Sequence, residues 1–301
     1  MLVALIGRPQ GSPLQVITMA AGKAHFAGSW YPETASECEK EINKFLKEAK
    51  VKYTSAIKLK GGIVPHAGWY FSGSIACGVI QALSTDKHPD LLVIFGMHLH
   101  PDSPCCIMSG GTWETPFGEI EIEAELAGKL KDKFSFQIET EADFYRDNTI
   151  ELQLPFIKYF FNKVKILPIG VPPAKSSIEI GKEVVKSAQS LGLSVKIIGS
   201  TDLTHYGYSY GFSPKGSGVE AVDWVRNKND HGFINAVLSM DPVKIIKEAQ
   251  KNNNACCSGA VAAAIAAARQ LGVNKAELAA YALSYDKKPD DSFVGYAGIL
   301  F

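Results

Sequence analysis

"LLVIFGMHLHP" (residues 91–101) begins as a continuous apolar run and ends with His98 and His100, two histidines that are one residue apart. An apolar run of this length, closed by a glycine, is typical of a strand that is buried on both faces of a parallel sheet. If the chain stays extended beyond Gly96, both imidazoles point to the same side, because side chains alternate along a strand. The stretch therefore predicts a buried strand that delivers histidine to one edge of a sheet.

Two further apolar strands lead into a histidine in the same way. "GGIVP" (61–65) is followed by His66, and "VKIIGS" (195–200) reaches His205 through a short polar loop. The carboxyl ends of parallel strands meet at one edge of an open α/β sheet, where ligands bind. The sequence therefore predicts that these two histidines and His98 converge on one site.

The segments between these strands favour an α/β fold. Helical spacing of apolar or small residues recurs in four segments, at 35–49, 121–133, 177–192 and 259–268. Strands that alternate with helices predict a central, mostly parallel or mixed sheet that is flanked by helices. The segments "ELAAYALSY" and "SFVGYAGILF" read as two strands of a hairpin, which would make the sheet mixed. We expect a single domain that extends from residue 19 to residue 301.

Composition excludes several classes of function. Hydrophobic residues make up 46% of the 301 residues, and Lys plus Arg equals Asp plus Glu at 31 each. This balance argues against a nucleic-acid or anionic membrane surface, and no apolar run is long enough to span a membrane. The N-terminus lacks the basic residues that precede the apolar run of a signal peptide, so we expect a cytoplasmic protein. Met19 is an alternative start, in which case residues 1–18 are an extension that is not native.

The cysteines and acidic residues supply candidates for an anionic metal ligand. The six cysteines form no C-x-x-C motif, which argues against a zinc ribbon or a thioredoxin-like site. Two histidines with one anionic ligand would suit iron, copper or zinc. Cys256 and Cys257 precede a predicted helix, where a thiolate is favoured, although simple packing is the alternative for both. The other candidates for the anion are Glu151 and Asp202.

Five motifs, in order, resemble the Memo family, whose members include the AmmeMemoRadiSam system protein B. They are "AGSWYP" (27–32), "PHAGW" (65–69), "TIELQLP" (149–155), "STDLTHYG" (200–207) and "DSFVGYAGILF" (291–301). Each motif alone is weak, but five in register from about residue 21 onward are specific. The resemblance implies a single α/β domain related to the class III extradiol dioxygenases of the LigB type, which are non-haem iron enzymes.

The resemblance also implies a set of metal ligands. Its first histidine is His66, and its cysteine aligns with Cys256, with Cys257 as the alternative if the alignment slips by one residue. The second histidine belongs to a family motif G-P-S/N-H that is imperfectly matched by "GMHLHP". His98 fits this motif best, and His100 remains a second possibility.

Further site residues follow from the same resemblance. His205 matches a pocket histidine that acts as an acid or base in the dioxygenases, and we expect Asp202 to orient it or its loop. The chain departs from the family at Asn148, where many members have histidine. Asparagine can orient a substrate but cannot transfer a proton at neutral pH, so a mechanism that needs that histidine is in doubt.

Two classes of function are consistent with these residues. The first is an enzyme that uses iron or copper for redox or oxygen-dependent chemistry on a small or peptidic substrate. The alternative is a non-catalytic module that binds a peptide or partner protein in the same pocket. The family name implies a radical-SAM partner, although this chain has no C-x-x-x-C-x-x-C motif itself. Neither G-x-G-x-x-G nor a P-loop motif is present, so no nucleotide cofactor is expected.

Overall fold

The structure is a computed structural model that describes residues 21–48, 51–53, 58–85, 87–139 and 145–301. The N-terminal extension that is predicted for residues 1–18 lies outside these ranges. The start of the domain at residue 19 therefore stays a prediction.

Strands and helices alternate along most of the chain. The strands are β1 (Ala21–Gly22), β2 (Gly61–Val64), β3 (Leu91–Gly96), β4 (Cys105–Met108), β5 (Thr112–Trp113), β6 (Ile120–Glu121), β7 (Phe136–Glu139), β8 (Lys165–Gly170), β9 (Val195–Ser200), β10 (His205–Tyr206), β11 (Glu277–Leu283) and β12 (Phe293–Leu300). The helices are α1 (Ala35–Glu48), α2 (Trp69–Ser84), α3 (Ala124–Lys131), α4 (Asn148–Glu151), α5 (Leu154–Phe161), α6 (Lys175–Ser190), α7 (Val219–Trp224), α8 (Asp230–Leu238), α9 (Pro242–Asn252) and α10 (Ser258–Gln270). A π-helical turn joins α7 to α8.

A mixed, mostly parallel sheet of nine strands forms the centre of the described chain. Its order is β10-β12-β2-β9-β3-β8-β4-β7, and β11 pairs with β12 as well. The four central strands β2, β9, β3 and β8 are parallel, whereas β12 runs antiparallel to β2 and to β11. The predicted α/β fold, its mixed sheet and the hairpin of β11 and β12 are all confirmed.

Side chains of β3 alternate between two hydrophobic cores, one on each face of the sheet. Leu91, Val93 and Phe95 pack into a core that includes α6 and α10, whereas Leu92 and Ile94 face a core that includes α1 and α2. Burial on both faces explains why this strand is apolar at every position. Helices on both faces and one continuous sheet make a single α/β domain.

The chain leaves the extended conformation directly after β3. A Cβ atom at Gly96 would collide with the side chain of Thr149 in α4, so only glycine fits there. Met97 has a φ angle of 74°, which non-glycine residues rarely adopt, and its N–H donates to Thr149 Oγ1 at 2.7 Å. The chain therefore does not stay extended beyond Gly96, and the condition for both imidazoles to point to one side is not met. His98 turns toward the sheet edge, whereas His100 lies exposed in the following turn.

The helices of the described ranges are all either too short or too polar to cross a membrane.

Candidate metal centre

Four side chains from three distant segments form a compact cluster. One donor atom each from His66, His98, Cys256 and Cys257 lies within 4.8 Å of all the others. His66 follows β2, His98 follows β3, and the two cysteines precede α10. The parallel strands thus bring their histidines to one edge, as the sequence predicts, and the start of α10 adds the sulfur atoms.

His66 is the buried histidine of the cluster. Its Nε2 lies 3.3 Å from Cys256 Sγ, and its backbone N–H donates to Asp202 Oδ1 at 2.7 Å. Burial alone would lower the pKa of His66, but the adjacent charges of Asp202 and Cys256 outweigh burial and raise it. His66 is therefore held between two anionic groups.

His98 is the histidine that solvent reaches, since 40% of its side chain is exposed. Its Nδ1 lies 3.0 Å from Asp147 Oδ2, and the same oxygen accepts the backbone N–H of His98. Burial alone would lower the pKa of His98, but hydrogen bonds with Asp147 and Cys256 outweigh it and raise the pKa to about 10. A buried carboxylate therefore fixes this ring from the side away from the sulfur.

The two cysteines have opposite chemical character. Burial alone would raise the pKa of Cys256, but hydrogen bonds and charges from Cys257, His66 and His98 hold it well below its usual value. The backbone N–H of Asp202 also donates to Cys256 Sγ at 3.3 Å. Burial and the neighbouring Cys256 raise the pKa of Cys257, whose side chain packs in the hydrophobic core. The surroundings therefore favour the thiolate form at Cys256 and the thiol form at Cys257.

Two alternative ligands lie outside the cluster. Glu151 is buried, and its Oε1 accepts the backbone N–H of Phe26 at 2.7 Å and the hydroxyl of Tyr31 at 2.9 Å. It therefore ties the N-terminal segment to α4. His100 is 74% exposed and lies 3.5 Å from Asp102, so its ring faces solvent.

Asp202 and His205 both border the site, and their side chains have different partners. Asp202 Oδ1 accepts from the backbone of His66, whereas His205 Nδ1 lies 3.1 Å from the carbonyl oxygen of Leu203. Because a carbonyl oxygen only accepts, Nδ1 of His205 carries the hydrogen, and the neutral ring keeps a lone pair on Nε2. No hydrogen bond joins these two side chains within the described residues, and the role of Asp202 in orienting His205 or its loop stays a prediction.

Asn148 supports the backbone of the site. Its side-chain amide donates to the carbonyl oxygen of His66 at 2.8 Å, and the residue also lines the cavity. The residue that replaces the usual histidine of the family therefore holds the segment that carries His66.

A cavity of about 570 Å³ opens onto the cluster. Its floor includes His66, His98, Asp202, His205 and Asn148, and its walls include Trp30, Tyr70, Phe71, Tyr210, Tyr296 and Lys288. Trp30, Tyr70 and Tyr210 are exposed at its mouth. The site can therefore admit a ligand with apolar or aromatic parts beside the two histidines.

A second cleft, of about 360 Å³, reaches the other side of the cluster. Leu203, Phe212, Asn253, Ala255 and Cys256 line it, and His205 and Tyr210 border both this cleft and the main cavity. Cys256 is half-buried, so solvent reaches this residue from the second side.

Sequence reasoning did not single out two residues that hold the cluster. Ser200 Oγ lies 3.0 Å from His66 Nδ1, and Asp147 Oδ2 accepts from His98. A sequence signal existed for each: Ser200 is a polar residue that closes a buried strand, and Asp147 is the N-cap of α4.

The donor set fits a transition-metal ion. Two imidazoles and a thiolate are ligands of zinc, copper and iron, at 2.0 to 2.3 Å from the ion, which places two ligand atoms about 3.5 Å apart. The distance of 3.3 Å between Cys256 Sγ and His66 Nε2 is close to that value. Both carboxylates near the histidines, Asp147 and Asp202, would add compensating negative charge.

Comparisons with known proteins agree with the motifs. The family model described as "Memo-like protein" matches residues 23–300. A MEMO1 family protein of Thermococcus onnurineus is 34% identical, with 91% of this chain and 97% of that protein covered, and one of Pyrobaculum aerophilum is 33% identical, with 94% and 99% covered.

One solved structure bears on the fold alone. The fold is similar to the crystal structure of an uncharacterized protein from Escherichia coli, with a TM-score of 0.52. The match covers 81% of this chain and 99% of that chain, and the two sequences are 10% identical. The family match over nearly the whole described chain, together with relatives above 30% identity, shows that this protein belongs to the Memo family.

Proposed function

We propose that the protein binds one iron or copper ion through His66, His98 and Cys256. The observation that supports this is the convergence of two imidazoles and the Cys256 sulfur in one cluster, whose histidines line the main cavity and whose Cys256 lines the second cleft. We further propose redox or oxygen-dependent chemistry on a small or peptidic substrate in that cavity. A thiolate in place of a carboxylate makes the site softer, which favours Cu(I) among the candidates.

The bound ion would supply one-electron redox chemistry or polarisation of a substrate oxygen. Residues of the chain would perform the remaining steps. The cavity walls bind the substrate, and the Nε2 lone pair of His205 accepts or returns a proton. Asn148 cannot transfer a proton at neutral pH, so His205 is the proposed catalytic acid or base. Asp202 holds the backbone of His66 in place.

Metal content tests this proposal directly. Protein purified without added metal should contain iron or copper in stoichiometric amount by mass spectrometry, and His66→Ala or Cys256→Ser should lose it. His100→Ala is the matched control, because His100 is exposed and outside the cluster. Retention of the metal in both site variants would contradict the proposed ligands.

A peptide- or partner-binding module is the second candidate function. The aromatic side chains of Trp30, Tyr70 and Tyr210 are exposed around the mouth of the cavity, and Lys288 and Asp290 line the same cavity. Such a rim suits a peptidic ligand with apolar and charged groups. Protein that takes up neither iron nor copper would make this the favoured function. A radical-SAM partner, which the family resemblance implies, stays a prediction.

A further inference from the structure

The imidazole of His66 makes a hydrogen bond through Nδ1, the nitrogen that faces away from Cys256 Sγ. Ser200 Oγ has a single hydrogen, which it donates to the carbonyl oxygen of Thr149 at 2.7 Å. At its contact with His66 Nδ1, 3.0 Å away, the hydroxyl must therefore accept. Nδ1 of His66 consequently carries a hydrogen, whether the ring is neutral or charged.

The imidazole of His98 also makes a hydrogen bond through Nδ1, in this case with the carboxylate of Asp147. Its Nδ1 lies 3.0 Å from Asp147 Oδ2, and this carboxylate is buried. An ionised carboxylate only accepts, so Nδ1 of His98 carries a hydrogen as well. Both rings are therefore left with Nε2 as the nitrogen that can bind a ligand or an ion.

The rings are arranged so that these free nitrogens converge. His66 Nε2 lies 3.3 Å from Cys256 Sγ, and a ring nitrogen of His98 lies within 4.8 Å of that sulfur. The ring centroids are 4.9 Å apart and the ring planes cross at 83°. Rotation of either ring about its Cβ–Cγ bond would move Nε2 away and break the bond at Nδ1.

One residue joins the two supports. Thr149 accepts the Ser200 hydroxyl through its carbonyl oxygen, and its N–H donates to Asp147 Oδ1 at 2.8 Å. Its Oγ1 accepts the N–H of Met97, the residue that turns the chain toward His98. Thr149 is fully buried, so its position is set by the core.

We infer that Ser200 and Asp147 are positioning residues, which hold both imidazoles with hydrogen on Nδ1 and Nε2 toward Cys256, and that Thr149 ties them into one unit. Outer hydrogen bonds of this kind fix the orientation of metal-binding histidines, and their loss commonly lowers metal affinity 10- to 100-fold. The effect on metal affinity rests on the proposed metal binding, whereas the ring orientation does not.

The first test is made on the metal-free protein. Imidazole nitrogen and hydrogen resonances should show a slowly exchanging Nδ1–H on His66, since this ring is 1% exposed. Ser200→Ala should shift that signal or lose it to exchange with water, and Ser200→Thr, which keeps the hydroxyl, should retain it. Ser177→Ala is the matched control, because this buried hydroxyl bonds only the carbonyl oxygen of Ala174 among the described residues.

The second test uses zinc alone as a diamagnetic probe. Competition with a chelator should show that Ser200→Ala and Asp147→Ala each bind zinc about 10- to 100-fold more weakly than the unmodified protein. Asp241→Ala is the control for Asp147, because Asp241 also caps a helix but contacts no histidine. Its zinc affinity should not change.

The outcomes separate this inference from the proposed function. If the unmodified protein binds no zinc but Ser200→Ala alters the His66 signal, the positioning role stands and the proposed metal binding fails. If zinc binds and the variants match the unmodified protein in both signal and affinity, the positioning role is overturned. Should Ser200→Ala not fold, the His98 signal and zinc affinity of Asp147→Ala decide the question alone.

Discussion

Cys105–Cys106 and Cys256–Cys257 are the same dipeptide in two surroundings. The first pair lies in β4, where alternation sends Cys105 to one hydrophobic core and Cys106 to the other. Burial raises the pKa of both, that of Cys106 to about 11. The second pair lies in a loop before α10, where one sulfur meets two histidines and the other packs in the core. The same dipeptide therefore buries both sulfurs in β4, whereas before α10 the backbone places one of them beside imidazoles.

The largest expected difference between the pairs is in metal affinity. Structural zinc sites bind with about 10–16 kcal/mol shared among four ligands, so one ligand contributes about 3 kcal/mol. Cys256→Ser should therefore weaken zinc or Cu(I) binding on the order of 100-fold, whereas Cys106→Ser should leave it unchanged. Chelator competition measures both. Equal losses in the two variants would mean that the site is disturbed indirectly.

For unfolding free energy, the order of the two substitutions should be reversed, with the larger loss in Cys106→Ser. Cys106 is 4% exposed in an apolar core, so a serine hydroxyl there should cost about 1–3 kcal/mol of unfolding free energy. Serine at position 256 would find the N–H of Asp202 and the hydroxyl of Thr201, so its cost in the metal-free protein should be below about 1 kcal/mol. Urea unfolding of the two variants makes the comparison. A larger loss for Cys256→Ser would refute it.

Thiol reactivity should separate the pairs by a smaller factor. In metal-free protein at neutral pH, iodoacetamide should modify Cys256 at least about 10-fold faster than either cysteine of β4, because thiolate and access both favour it. Peptide mass spectrometry identifies the modified residue. Added zinc should suppress the reaction at Cys256 and leave the slow background at Cys105 and Cys106 as it was.

The smallest expected effect is on the pH dependence of the unfolding free energy, through His98 beside Cys256. The folded state raises the pKa of His98 from 6.5 to about 10, so its stabilising contribution is complete below pH 6.5 and is lost as the pH rises toward 10. Solvent screening keeps the effect modest, since the ring is 40% exposed. Metal-free Asp147→Ala should lose less stability over this range, because it removes the hydrogen bond that raises the pKa of His98, and Cys106→Ser should follow the unmodified protein. Parallel curves for all three would contradict the role of Asp147.

Much of the fold follows from patterns that are visible in the sequence. The apolar runs of β2, β3 and β9 are buried on both faces, and a run without alternation predicts this without knowledge of the partners. Histidines that follow such strands meet at one edge of the sheet, because the carboxyl ends of parallel strands lie together. Helix α10 is also visible in the sequence as an alanine-rich run. Its small side chains allow it to lie close to the sheet and to α6.

The parts that could not be predicted depend on contacts between distant residues. The backbone turns at Met97, which takes a positive φ angle and donates to Thr149, and Asp147 then holds His98 but not His100. Glu151 looks like a ligand candidate, yet it bonds Phe26 and Tyr31. Local sequence gives no signal for such partners, since each depends on how two separate segments meet.

The pairing of β2 with β12 bears on the order of events during folding. Gly62 lies beside Leu300, more than 200 residues later in the chain, and its other neighbour is Ile198 of β9. Such contacts form late, because the entropy of closing long loops must be offset before they contribute. His66 gains its surroundings only when β9, the loop after β3 and the start of α10 have joined β2. An ion bound there would stabilise the finished protein by mass action but would not nucleate its folding, in contrast to zinc fingers, which fold only with their metal.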